Sequence, residues 1–114
     1  RKILPFYNHT KAVTIFTPQN MEYENIQRPQ DHWEGLLVAR IAGGKGHLDA
    51  IKACERYTKK KIILRFVGNI EDKLIYQEIL NYLETSPFKS NVIFEGTTPR
   101  VATYYHKAHF LIFP

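Results

Sequence analysis

The chain has 114 residues, 44% of them hydrophobic and 24% charged, with a formal net charge of +5. That length suits one domain with a core of its own, and the composition excludes disordered, collagen-like and coiled-coil classes. A lone Cys54 rules out an internal disulfide; it fits a small core residue in a reducing, cytoplasmic setting, and no apolar run approaches the length of a membrane span.

The first 34 residues carry the weakest pattern. The stretch KAVTIFTPQN, 11–20, reads as an extra strand followed by a turn at Pro18, and MEYENIQRPQDHW, 21–33, as a polar loop punctuated by Pro29. Trp33 is expected to anchor this lead-in to the domain. Arg1-Lys2 precede only a short apolar patch broken by Pro5, so no signal peptide is expected. The chain opens without Met and stops after FLIFP, and is therefore expected to be a piece of a longer polypeptide.

From residue 35 strands and helices alternate. GLLVARI, 35–41, is a continuous apolar run bounded by glycines and reads as a strand buried on both faces. Residues 47–60 place Ala50, Ala53, Cys54 and Tyr57 on one helical face, with Lys52, Glu55 and Arg56 on the other. KIILRFVGN, 61–69, is a second buried strand. A second helix over 72–86 carries Ile75, Ile79, Tyr82 and Leu83 on one stripe, with Asp72 as N-cap and Pro87 past its end. NVIFEG, 91–96, is a third strand. Thr98 as N-cap and Pro99 at the first helical position predict a third helix to about Ala108, and HFLIFP a fourth strand. Such alternation with short connections predicts right-handed βαβ units in a doubly wound, Rossmann-like α/β domain over 35–114, with helices on both faces of a parallel sheet and 1–34 as its lead-in. Ligands of such sheets bind beyond the carboxyl ends of the strands.

One of those ends carries an unusual turn, VARIAGGKGH, 38–47. Glycines at a strand-to-helix junction let backbone N–H groups approach a ligand closely, and the helix that follows offers unpaired N–H groups and the positive end of its dipole. That combination suits phosphate. Arg40 adds a fork that matches phosphate oxygens and Lys45 a point charge. Two cations and a helix terminus balance a pyrophosphate without a metal. The turn is not a Walker A loop, because Gly46 rather than Ser or Thr follows Lys45. Gly43, Gly44 and Gly46 are too tightly spaced for the dinucleotide fingerprint, although Glu71 or Asp72 after the second strand can imitate its ribose acid. A flexible turn with two solvated cations stands beside the phosphate reading.

Four stretches, in order, resemble the C-terminal donor-binding domain of GT-B glycosyltransferases of the family 4 type. LLVARIAGGKGHLDAIKA is similar to that family's strand, Arg-x4-Lys-Gly turn and helix; LRFVGN to its second strand; NVIFEGTTP to its third strand and turn; and YYHKAHFLIFP to its Tyr-x-x-Ala strand. Together they cover residues 35–114. The resemblance implies a Rossmann-like half of a two-domain enzyme. Such an enzyme transfers a sugar from a nucleotide diphosphate donor to an acceptor hydroxyl, with retention of configuration, in polysaccharide, lipopolysaccharide or glycan synthesis.

By position, the resemblance makes Arg40 and Lys45 the cations that grip the diphosphate and stabilise charge developing on it, with Gly43 and Gly44 in the same turn. Gly68 and Asn69 match a loop lining the nucleotide pocket, and Glu95, Gly96 and Thr97 a segment packed near the base. No metal or other cofactor is implied. The acceptor, a sugar or lipid-linked sugar, is implied to bind an N-terminal domain outside these residues, and the family's paired-glutamate segment to lie beyond Pro114. Three departures stand out: Ala42-Gly43-Gly44 replaces a common Ser-Pro-Glu type turn, Ile70 replaces a second glycine, and the glutamate pair is not in the chain.

Other residues fit blander roles. His9, His32, His47, His106 and His109 do not form a metal-binding pattern; His47 at a helix start is expected to be a solvated or capping residue that can also reach a donor phosphate. Tyr104 and Tyr105 read as a helix face against the sheet, and YTKKKI, 57–62, as a solvated helix end rather than a nucleic-acid patch. Net positive charge favours an anionic partner and hints at peripheral association with an acidic membrane face. Two other functions remain open: a non-catalytic nucleotide- or phosphate-binding module, and a nucleic-acid binder. Scattered lysines without interleaved aromatics argue against the latter.

Overall fold

A computed structural model describes residues 14–16, 31–57 and 59–113. The expected turn at Pro18 and most of the polar loop before Trp33 lie outside the described residues. Strand β1 is Thr14–Phe16, β2 Trp33–Val38, helix α1 His47–Glu55, β3 Ile62–Val67, α2 Lys73–Glu84, β4 Val92–Gly96, α3 Val101–Lys107 and β5 Phe110–Phe113, with a single 3-10 turn at Lys89–Asn91. The strands form one sheet in the order β1-β5-β2-β3-β4, parallel except for β1, which runs antiparallel to β5 with Ile15 opposite Ile112. The extra strand expected in 11–20 is therefore part of the same sheet.

The four parallel strands are those of a Rossmann-like α/β fold. The chain steps outward from β2 to β3 to β4, then returns to the other side of β2 as β5. The direction of winding thus reverses between β2 and β5, and such reversals are where α/β sheets open a crevice at their carboxyl ends.

Helices cover both faces, because the continuous apolar strands expose side chains on each. On one face Ala50, Ile51 and Cys54 of α1 and Ile79 and Leu83 of α2 pack on Leu37, Leu64, Phe66 and Phe110. On the other, Tyr104 and Tyr105 of α3 pack on Leu36, Val67 and Ala108, so these tyrosines form the helix face expected of them. Cys54 is a core residue, and burial pushes its thiol up to about 12. Among the described residues no helix is long and apolar enough to cross a membrane.

Several boundaries differ from the expectations. β2 starts at Trp33 and ends at Val38, with Ile41 continuing the ladder as an isolated bridge to Ile70. α1 stops at Glu55 rather than running to residue 60. The amide of Arg56 turns back to the carbonyl of Ala53 and that of Tyr57 to Cys54, and Tyr57 stacks on Trp33 with ring centroids 5.2 Å apart. Asp72 caps α2 as expected, its carboxylate accepting from the amides of Leu74 and Ile75 at 2.9 and 3.3 Å. Thr98 does not cap α3. Its hydroxyl accepts the amide of Arg100 at 3.1 Å in a tight turn ahead of the helix, so helical geometry begins only at Val101, after Pro99.

Candidate functional site

The turn after β2 lies beside the reversal between β2 and β5. Gly44 and Gly46 have φ of 80° and 82°, in the left-handed region where a side chain is strained, so this backbone path needs both glycines. The path differs from an ordinary helix entry: Gly46 occupies the N-cap position, and no side chain caps the first turn of α1. Asp49 contributes one negative charge to that turn. An uncapped first turn beside a glycine bend is the geometry that receives an anion.

The turns after β2, β3 and β4 are stitched together by backbone. The amide of Ala39 donates to Val67 (2.9 Å), Ile41 to Asn69 (2.8 Å), Gly68 to Gly96 (2.9 Å), and Glu71 and Asp72 both to Ile41. Arg40, Gly43, Gly44, Lys45, Gly68, Asn69 and Gly96 are thereby gathered at one end of the sheet. Gly43 and Gly44 are exposed, with open space where a Cβ would stand. Gly68 is different: a Cβ there would meet the carbonyl oxygen of Ala39 at 2.1 Å, and φ is 147°, so glycine is required by the close approach of two backbones.

The two cations of the turn are not equivalent. Arg40 reaches across to the next strand's turn, its Nη1 lying 3.0 and 3.1 Å from the two carboxylate oxygens of Glu71. The pair is about half exposed, 56% for Arg40 and 47% for Glu71. Lys45 is half-buried and makes no ion pair among the described residues. Glu71 and Asp72 are thus both engaged, one by Arg40 and the other by the first turn of α2, and neither stands free as a ribose acid. Ile70 and Leu74, 43% and 80% exposed, place apolar surface on the turn and first helical residues next to Glu71.

His47 departs from its expected solvated or capping role. It is 2% exposed, its ring packs edge-on against Phe66 at 4.7 Å, and neither ring nitrogen has a partner among the described residues. Burial lowers its pKa to about 4, so the ring is neutral near pH 7. The first residue of α1 is therefore an apolar plug under the turn.

Glu95 and Thr97 sit differently from the rest. Thr97 is exposed. The carboxylate of Glu95 accepts from Arg65 Nη1 at 2.5 Å, and Arg65 lies 6.0 Å from the ring of Tyr104, beneath α3. This places the Glu95 side chain on the α3 face of the sheet and leaves its backbone, with that of Gly96, at the strand end. Arg65 also donates to buried Glu34 at 2.8 Å, and Glu34 in turn accepts from His32 at 2.6 Å. Burial alone would raise the Glu34 carboxyl, but the hydrogen bonds from Arg65 and His32 outweigh it and hold the group below its ordinary range. The same bond to Glu34, reinforced by Asp31, raises the pKa of His32. The backbone amide of Glu34 donates to His109 Nδ1 at 2.9 Å. Nothing local in the sequence signals this network, because its members come from three strands some 30 residues apart.

No family model, curated protein or solved structure matches the chain.

Proposed function

We propose that the glycine turn after β2 binds the diphosphate of a nucleotide sugar, and that the chain is the donor-binding part of a glycosyltransferase. The observation that carries this reading is the turn itself: two left-handed glycines lead into an uncapped helix start, flanked by Arg40 and Lys45, beside the reversal of the sheet. Lys45 supplies a charge with no ion pair among the described residues, and Arg40 a half-exposed guanidinium for which the diphosphate competes with Glu71. Exposed Ile70 and Leu74 offer an apolar seat for the nucleoside next to those charges. The four-stretch resemblance to GT-B enzymes points to the same residues.

In the reaction, the acceptor oxygen bonds to the anomeric carbon as the bond from that carbon to the diphosphate breaks. The electron pair of the broken bond passes to the diphosphate, whose leaving oxygen takes up the proton that the acceptor hydroxyl gives up. Lys45, Arg40 and the first amides of α1 stabilise that charge where it grows, which is electrostatic catalysis. Lys45→Ala in the full-length enzyme is expected to lower kcat/KM by about 100- to 1,000-fold, the usual effect of losing one preorganised donor, with an unchanged circular dichroism spectrum. Near-normal kcat/KM overturns the assignment. Calorimetry with UDP and GDP separates the second reading: binding that Lys45→Ala abolishes, in a full-length protein that transfers no sugar, identifies a non-catalytic nucleotide-binding module.

A further inference from the structure

The end of β4 is held differently from the ends of β2 and β3. Strands β3 and β4 pair in register from Leu64 opposite Val92 to Phe66 opposite Phe94, and the register then shifts so that Val67 lies opposite Gly96. Glu95 is the extra residue of that irregularity and has no β3 residue opposite it. Such bulges re-aim a side chain and are common beside active sites. Just beyond it Gly96 has a left-handed φ of 73°, with open space where a Cβ would stand, and its carbonyl accepts the amide of Gly68 at 2.9 Å. Gly68 in turn lies against the carbonyl of Ala39, where the glycine turn begins. The turn after β4 is thus the last of three backbones stitched together at the carboxyl end of the sheet.

What the strand ladder does not supply at Glu95, Arg65 supplies from the middle of β3. Its Nη1 meets the Glu95 carboxylate at 2.5 Å and its Nε the Glu34 carboxylate at 2.8 Å. A planar guanidinium can serve both carboxylates at once, whereas a lysine offers a single point charge. Arg65 and Glu95 are 25% and 22% exposed, so water and salt screen the pair only in part. Glu34 has a second partner in His32 Nε2, at 2.6 Å. Removing Glu95 therefore leaves Arg65 paired with Glu34 and abandons no buried charge. Removing Arg65 would take one of two partners from buried Glu34 and leave Glu95 without its ion pair, a costlier change.

We infer that Arg65 is a positioning residue of the candidate site: acting through the Glu95 carboxylate, it fixes the Gly96–Thr97 backbone as a wall beside the bound nucleotide. Arg65 itself touches no ligand, because its side chain lies on the α3 face, 6.0 Å from the ring of Tyr104. That role rests on the nucleotide-binding reading of the sheet end.

The test uses the full-length protein and its variants Glu95→Ala, Glu95→Gln, Glu95→Asp and Lys45→Ala. Melting temperature, amide hydrogen exchange at Gly68, Ala39 and Ile41, and calorimetry with UDP and GDP are measured for each. In Glu95→Ala the Gly68 amide is expected to lose protection while those of Ala39 and Ile41 keep theirs. The nucleotide that the parent binds is expected to bind about two- to tenfold more weakly, the worth of one hydrogen bond. Glu95→Gln, whose amide oxygen still accepts from Arg65, restores both. Parent-like protection at Gly68, or equal loosening of all three amides, overturns the proposal. Loosening at Gly68 with unchanged affinity also overturns it, and leaves the diphosphate reading standing wherever binding still depends on Lys45. Absence of nucleotide binding in the parent, or full binding in Lys45→Ala, sinks the reading of the site and the role of Arg65 with it. Should Glu95→Ala melt early, Glu95→Asp, which keeps the charge but is one methylene short of Arg65, must show both losses; if it shows neither, the proposal fails.

Discussion

Replacing His47 with leucine removes a ring that the fold keeps neutral at the base of the candidate site. The ring is 2% exposed, unpartnered among the described residues and packed on Phe66, and its pKa falls from 6.5 to about 4. Between those two values the unfolded chain binds a proton that the folded chain refuses. Stability from this group is therefore full above pH 6.5 and is lost as pH falls toward 4. The gap of 2.5 in pKa (6.5 minus 4) corresponds to ~3 kcal/mol, of which ~2 kcal/mol is gone by pH 5. Leucine, similar in volume, has nothing to protonate and leaves no buried nitrogen unsatisfied. His47→Leu is expected to be as stable as the parent or more so at pH 7.5, and to gain ~2 kcal/mol relative to it on going to pH 5. Urea unfolding of both chains at several pH values measures the difference. His32, whose raised pKa works in the opposite sense and destabilises as pH rises through it, is present in both chains and cancels. Identical pH slopes in parent and variant, or a His47 ring titrating near 6.5 by NMR in the folded chain, would refute the reasoning.

Three further outcomes follow from the same geometry. Glu71→Gln releases Arg40 from a half-exposed pair worth about 0.2–1 kcal/mol, so UDP or GDP should bind up to about fivefold more tightly by calorimetry; weaker binding would mean that Glu71 positions Arg40 instead of competing for it. Gly68→Ala forces a Cβ to within 2.1 Å of the Ala39 carbonyl at a φ of 147°. It should lower stability by at least ~1–3 kcal/mol, read as a shifted urea midpoint, and a shift of a few tenths would contradict the close approach. Cys54, buried with its thiol pushed up to about 12, should resist a disulfide-exchange reagent in native buffer and react at once in denaturant; rapid native labelling would place it outside the core.

Element types and order were legible because each rests on local periodicity. The apolar runs around Leu37 and Leu64, the stripe Ile75-Ile79-Leu83 and the cap at Asp72 all hold in the folded chain. So does the glycine bend: residue type allows the left-handed backbone that Gly44 and Gly46 adopt, although Gly43 in the same turn does not adopt it. Element ends were less legible, since competing partners set them: Trp33 draws Tyr57 out of α1, and Thr98 holds the amide of Arg100 ahead of α3.

Residue type and spacing thus suffice to specify the alternating strands and helices and to place a glycine bend at the end of β2. They cannot specify which side chains meet. The bonds from Arg40 to Glu71 and from Arg65 to Glu34 and Glu95 each join residues about 30 positions apart, on neighbouring strands. The burial of His47 against Phe66 depends likewise on how α1 settles on the sheet. Periodicity reports which face a residue occupies, whereas contacts between strands and helices exist only once parallel pairing has set the register, and it is those contacts that fix charge, burial and pKa at the site.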